Sequence, residues 1–197
     1  MNGYKNAIVV HMERSLVLVK PDGVMRGLSG EIIRRFETAG LKVVALKLIW
    51  PTKELAEKHY PLDKEWYENA WKNTKKGYEE KGLPFKETPL ELGTRIRNAL
   101  MTALTMGPVV AMVIEGNDAV ACVRKIVGAT APNRADPSTI RGMYSTDSYS
   151  LADGSKRALR NLVHASDTPA NGEKELAVWF TKKEIVEYKR VDESLIY

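Results

Sequence analysis

Cysteine occurs once in this chain, at Cys122, so no internal disulfide staples the fold and stability has to come from packing. That cysteine lies in Ala119-Val120-Ala121-Cys122-Val123, which reads as a buried helix face with the thiol as a small core residue. No apolar run approaches the roughly 20 residues that span a bilayer. The run at 7–10 is too short for a secretory signal and no small-residue cleavage site follows it. A cytoplasmic location and no membrane partner are the resulting expectations. Walker and dinucleotide glycine fingerprints are both missing, so any bound nucleotide must have its phosphates held by charged side chains. There is no repeat, low-complexity tract or interdomain linker. Histidine is scarce too, with only His11, His59 and His164.

What remains is ordinary for a globular chain. With 197 residues, 44% hydrophobic and 28% charged, it can form one domain with a real core. The net charge of +5 favours an anionic partner such as a nucleotide, while nucleic acid stays an unsupported alternative. Met12-Glu13-Arg14-Ser15-Leu16 makes a natural start, so residues 1–11 read as a leader or expression remnant and the domain as 12–197.

Leu16-Val17-Leu18-Val19 is a buried strand closed by the turn Lys20-Pro21-Asp22-Gly23. Ser29 is expected to cap a helix that buries Ile32, Ile33 and Phe36 and stops at Gly40. A second strand covers 41–50, and Thr52 caps a short helix reaching Tyr60. The segment 61–88 is highly charged yet holds Trp66, Tyr67 and Trp71, and Gly77, Gly82 and Pro84 interrupt it. It reads as one or two amphipathic helical pieces set on the surface. A helix over 90–106 places Ile96, Leu100 and Leu104 at spacing four, and Gly107-Pro108 ends it. A third strand covers 109–114, and Asn117 caps a helix ending near Gly128. Residues 129–158 read as a long irregular loop, a feature that is usually functional in a compact domain. A short fourth strand follows at 161–164, then a helix over about 173–180, after which Thr181 can cap another turn. This order fits a ferredoxin-like α+β fold: a four-stranded antiparallel sheet with helices on one face.

His164 stands at the end of a short apolar strand, a position that suits an exposed reactive side chain. His59 reads as a packing or solvent-exposed residue. Arg124, Lys125, Arg134 and Arg141 surround the long loop, and Thr130, Ser138 and Thr139 add hydroxyls. Guanidinium forks and hydroxyls are what a polyphosphate requires; the plainer alternative is a solvated basic face.

Five segments together resemble the nucleoside diphosphate kinase family. They are Val19-Lys20-Pro21-Asp22-Gly23-Val24, Gly107-Pro108-Val109-Val110-Ala111-Met112-Val113, Gly128-Ala129-Thr130 with Thr139-Ile140-Arg141-Gly142, Asn161-Leu162-Val163-His164-Ala165-Ser166-Asp167, and the helix over 175–180. They occur in family order and span most of 15–180. The resemblance implies a phosphotransferase that passes the γ-phosphate of ATP or another triphosphate to nucleoside diphosphates through a phosphorylated His164, in ping-pong order. It implies that Glu175 orients the His164 ring and that Lys20, Arg124, Thr130 and Arg141 bind phosphate. It places Lys20 and Asn161 near the ribose 3′-hydroxyl and Tyr60 beside the reacting phosphate. Mg²⁺ would bridge phosphate oxygens without a protein carboxylate cage. A homo-oligomer, with a hexamer favoured, follows from the same resemblance.

Three departures stand out. Residues 61–88 and 145–156 look like insertions. The family's Phe-Phe pair, one ring of which stacks on the base, is replaced by Ile96 and Arg97 when counted back from Gly107; Arg97 can stack through its guanidinium plane, and the role is not carried onto Phe85. A catalytically idle nucleotide-binding or nucleic-acid-binding module is the rival reading, and an idle relative is expected to lose His164 first. A pure assembly protein has only the aromatics of 61–88 in its favour.

Overall fold

The structure is a computed structural model that describes residues 12–80 and 82–196; the proposed leader 1–11, with His11, lies outside them. Four strands form one antiparallel sheet in the order β2-β3-β1-β4: β1 Met12–Val19, β2 Lys42–Ile49, β3 Val109–Asn117 and β4 Val163–Ala165. The helices are α1 Pro21–Val24, α2 Ser29–Thr38, α3 Lys53–His59, α4 Lys64–Glu79, α5 Pro89–Thr105, α6 Ala119–Val127, α7 Ile140–Tyr144, α8 Tyr149–Gly154, α9 Pro169–Trp179 and α10 Glu193–Ile196. The expected ferredoxin-like α+β sheet is present.

One expectation about the layers needs correction. Helices cover both faces of the sheet, not one. In β1, residues 15–19 are all fully buried, a continuous run that only a strand covered on both sides tolerates. Val17 and Val19 join Met112, Ile32, Phe36 and Val123 on the α2/α6 side. Leu16 and Leu18 join Val113, Ala56, Leu104 and Leu176 on the α3/α5/α9 side.

Two caps also differ from expectation. Leu28, not Ser29, is the N-cap of α2, and Asp118 in a left-handed conformation, not Asn117, precedes α6. Asn117 is still paired to Met12 in the sheet, so the helix cannot begin until the chain leaves the strand. Thr52 caps α3 as expected, accepting from the Leu55 N–H. The stretch 129–158 is more regular than an open loop: it holds a 3-10 turn at Pro132–Arg134 as well as α7 and α8. Thr139 and Ser148 cap those helices, so the hydroxyls that suggested a loop in fact start helices.

Among its described residues the segment 61–88 contains one helix, the 16-residue α4, which runs through Gly77 and is capped by Asp63. It packs along α5. The Tyr67 ring is buried against Gly93, where any side chain would collide with it. Trp71 donates its indole N–H to the Glu87 carbonyl at 2.6 Å and, with Tyr78, packs at a tilt against Phe85. Two of the three aromatics therefore pin the segment to the body of the molecule.

Candidate active site

His164 is carried by β4, the edge strand beside β1, and pairs with Leu18. Residues facing each other across an antiparallel pair share a side of the sheet, so the imidazole lies on the α3/α5/α9 side. The turn that delivers it is strained. Leu162 has φ +67° and the Val163 N–H closes back on the Asn161 carbonyl at 2.7 Å, a tight three-residue turn of the uncommon sign. Such a conformation persists only where its surroundings over-determine it. Here the Leu162 N–H donates to Asp22 Oδ2 at 3.0 Å, its carbonyl accepts from the Lys20 N–H at 2.8 Å, and its side chain is fully packed in the core. Local strain thus fixes Asn161 and His164 on opposite sides of one peptide corner.

Glu175, on α9, puts Oε1 3.0 Å from His164 Nε2, a close contact without regular hydrogen-bond alignment. Its Oε2 accepts from Ser166 Oγ at 2.7 Å, and Ser166 Oγ also accepts from the Leu16 N–H. The carboxylate is held from behind, and among the described residues no hydrogen bond anchors Nδ1 of the ring. His59, at the end of α3, crosses the His164 ring edge-on with centroids 4.5 Å apart. Burial, and secondarily the neighbouring His164, push the His59 pKa well below its ordinary value. It is neutral, and the Trp179 indole N–H donates to its Nδ1 at 3.3 Å.

His59, His164 and Glu175 could together offer a metal three donor atoms within 4.8 Å of one another. The tautomer argues against it. A neutral His59 that accepts at Nδ1 carries its proton on Nε2, which closes that nitrogen to a cation.

The phosphate side of the cavity is cationic and largely preformed. Lys20 is buried and donates to Asn161 Oδ1 and to the Leu159 carbonyl. Asn161 in turn donates to the Thr130 carbonyl at 2.8 Å. Burial lowers the Lys20 pKa to about 8, against the opposing pull of Asp22. Arg141, from α7, spends three donors on the carbonyls of Asn161, Gly128 and Val163, leaving two of its five N–H groups for the cavity. Burial, then Arg124, brings its pKa down to about 10. Gly128 has φ +88° and sits against Thr139, so a side chain there would be excluded twice. Burial also raises the Tyr60 phenol above its ordinary value, with Glu175 acting the same way, so it stays protonated.

Lys20, Tyr60, Arg124, Thr130, Arg141, Asn161, His164 and Glu175 all line one cavity of about 450 Å³. The other loop candidates do not. Lys125 and Arg134 are exposed outside it, Ser138 donates to Asp136, and Thr139 caps α7. His59, Ser166, Trp179 and Asp22 are the site's supports that sequence reading missed. The His59-Tyr60 pair was the available signal, but only the fold brings the end of α3 beneath β4.

A family model described as nucleoside diphosphate kinase matches residues 13–78 and 92–185. The chain belongs to the nucleoside diphosphate kinase family. A nucleoside diphosphate kinase of Pyrobaculum aerophilum is 46% identical over 181 residues, covering 89% of this chain and 99% of that one. The crystal structure of an NDP kinase from the same organism aligns with TM-score 0.85 at 45% identity, over 89% of this chain and 100% of that one. The Borrelia burgdorferi nucleoside-diphosphate kinase, described as a transition state mimic with bound vanadate and ADP, aligns with TM-score 0.76 at 34% identity, over 93% and 96% of the two chains. The protein is a phosphotransferase that moves a γ-phosphate reversibly from nucleoside triphosphates to nucleoside diphosphates. The family model leaves residues 79–91 unmatched, at the junction of α4 and α5.

Proposed function

We propose that His164 is the phosphate carrier and that Nδ1 is its nucleophilic atom. The observation behind this is the 3.0 Å contact of Nε2 with Glu175, inside a cavity lined by Lys20, Arg124, Arg141 and Asn161. The Nδ1 lone pair attacks the γ-phosphorus; the N–P bond forms as the bond to the β-phosphate oxygen breaks, and the diphosphate leaves with the electron pair. The Nε2 proton stays against Glu175, which stabilises the cationic ring. A second diphosphate then attacks the phosphohistidine in the reverse step. Arg124 and Arg141 neutralise charge on the transferring group and Thr130 adds a hydroxyl. Lys20 and Asn161, hydrogen-bonded to each other, meet the ribose 3′-hydroxyl, and the protonated Tyr60 lies beside the reacting phosphate.

Mg²⁺ belongs to the nucleotide in this scheme. Asp63 and Asp167 line the cavity and would accept hydrogen bonds from the water ligands of an ion brought in by the nucleotide. The ion would offset phosphate charge. A cytoplasmic location is in keeping with the substrates and with the lone, unbridged Cys122. No helix among the described residues is long and apolar enough to cross a membrane.

A symmetric homo-oligomer, a hexamer first, is also proposed. Leu46, Leu48 and Trp50, at and just beyond the end of edge strand β2, are 53%, 64% and 66% exposed, and an apolar row on an edge strand is stable when a second copy covers it.

Incubation with γ-labelled ATP tests the chemistry. The protein should carry a label that is lost in acid and kept in alkali, and His164→Ala should carry none. A label retained by that variant would falsify the assignment.

A further inference from the structure

One buried titratable side chain next to His164 takes no part in the phosphotransfer steps. His59 ends α3, where the helix dipole favours a protonated ring. Burial overrides that preference and, with His164 acting the same way, holds the ring neutral. Only 6% of the residue is exposed, and the rings of Tyr60, Trp179 and His164 surround it, with centroids 4.6, 5.6 and 4.5 Å away. An indole can only donate, so the 3.3 Å bond from Trp179 to Nδ1 puts the one ring proton on Nε2. Among the described residues that Nε2 has no hydrogen-bond partner, and it is closed off from solvent. A buried donor without a partner is destabilising, and a phenylalanine would fill the space without that penalty. Packing alone does not account for a histidine here. The bond from Trp179 does, because it fixes the plane of the ring, which a phenylalanine could not have fixed that way.

His164 needs such a neighbour. Its Nε2 meets Glu175 Oε1 at 3.0 Å without regular alignment, and among the described residues no hydrogen bond anchors its Nδ1. Hydrogen bonds therefore do not set the plane of the His164 ring. Ring contact does. The planes of His59 and His164 stand at 87° to each other, the edge-to-face arrangement that aromatic pairs favour, and rotation of His164 gives it up. The direction of the Nδ1 lone pair follows from that plane, and in-line attack depends on direction.

We propose that His59 is a positioning residue for phosphotransfer: locked in one tautomer by Trp179, it sets the plane of the His164 ring and so the line of attack. The inference rests on the phosphotransfer reading of the cavity. Absence of charge matters as much as shape. His164 becomes cationic when it is phosphorylated, and a second positive ring 4.5 Å away would oppose that step. The other titratable or charged groups around His59 are the protonated Tyr60, Glu175 on α9, and Arg97 on α5, which binds the Tyr60 carbonyl. Lys20, Arg124 and Arg141 lie across the cavity. Trp179 guards against that charge as well as orienting the ring, because its N–H occupies the nitrogen at which a second proton would bind.

The test compares the full-length wild type with two variants. Trp179→Phe keeps the ring at 59 without its lock. His59→Asn places an amide oxygen where Nδ1 was, and so keeps the acceptor for Trp179 without the ring. Each should label His164 about tenfold more slowly from saturating ATP at neutral pH, with KM for ATP unchanged. In Trp179→Phe, His59 is free to take a second proton, so the labelling rate should fall on the acid side at a higher pH than in the wild type. His59→Asn has nothing to titrate at 59 and should lack that shift. A wild-type labelling rate in either variant, an effect on KM alone, or an acid limb of Trp179→Phe that coincides with the wild type's overturns the positioning role. Rates that merely follow the melting temperatures of the three proteins overturn it too. A wild type that takes up no acid-labile label sinks the phosphotransfer reading and this inference with it, whereas a labelled wild type beside full-rate variants removes the inference alone.

Discussion

Arg124 and Arg141 illustrate how two residues of one type divide their work. Arg124 is an exposed guanidinium at the cavity wall, whereas Arg141 binds three backbone carbonyls and holds the strained corner at Leu162. Arg124→Ala should therefore lower kcat by a factor corresponding to about 2–4 kcal/mol and leave the melting temperature unchanged. Arg141→Ala should lower both activity and melting temperature. Equal melting curves for the two variants would show that the carbonyl contacts contribute nothing to folding. Ser166 donates to Glu175, so in the proposed mechanism it acts on the chemistry at one remove. Ser166→Ala should slow phosphorylation of His164 at saturating ATP about tenfold without changing KM for ATP, and a pure KM effect would exclude the orienting role. Lys20 gives a pH dependence. Its pKa of about 8 lies below the ordinary 10.5, so between those values the unfolded chain holds the proton that the folded free enzyme has lost. Burying the charged amine costs stability below about pH 8, and that cost is relieved as pH rises toward 10.5. Activity moves the other way: kcat/KM, which reports the free enzyme, should fall as pH rises through about 8 while the cationic grip on phosphate is lost.

Among the elements, α8 shows how an apparently loose segment becomes ordered. Residues 145–156 have little apolar content, yet Asp147 is buried and bonded twice to Arg157 and once to the Arg160 N–H. Arg157 first, then the backbone N–H groups of Arg160 and Ser148, bring its carboxyl down to about 2, against the opposing effect of burial. Because the folded pKa is depressed, the stabilisation is complete above the unfolded value near 3.8 and vanishes as pH falls through about 2. Asp147→Asn should cost about 2 kcal/mol at neutral pH, read as a lower melting temperature, and should show a flatter loss of stability in acid than the wild type. Helix α4 is held by a different device, the approach of Tyr67 to the bare backbone of Gly93. Gly93→Ala should push α4 away and cost about 1–3 kcal/mol.

At the scale of the molecule, the open edge of the sheet is only partly covered. The C-terminal segment protects the start of β2: the Val186 N–H donates to the Val44 carbonyl, Tyr188 reaches Val43, and Lys42 bridges Glu115 and Glu193. Beyond the bulge at Val43/Ala45 the C-terminal segment holds β2 only through side chains, Lys47 pairing with Glu184 at 2.7 Å, and the exposed row Leu46, Leu48 and Trp50 begins. A double Leu46→Lys, Leu48→Lys change should yield a smaller species by light scattering while His164 is still labelled. An unchanged mass would remove this face from the proposed assembly.

The sequence alone determined the strands and the order of the elements, because each is written in a local run such as an apolar strand or a glycine stop; the eight polar residues that line the cavity came from the resemblance of five motifs to the nucleoside diphosphate kinase family. Tertiary structure decided what depends on approach between distant segments. His59 looks like an ordinary helix-end residue until α3 comes to lie under β4. Ser166 looks like a turn residue until α9 brings Glu175 to it. Helices lie on both sheet faces because β1 is buried on both, and a short apolar run does not say how many layers cover it. The aromatics of 61–88 were visible as a cluster, but whether each was an anchor or a free surface depended on Gly93, Glu87 and Phe85, which lie beyond the reach of helical periodicity. A periodic pattern reports which side of an element is buried; the partner that buries it is chosen only when the chain closes on itself.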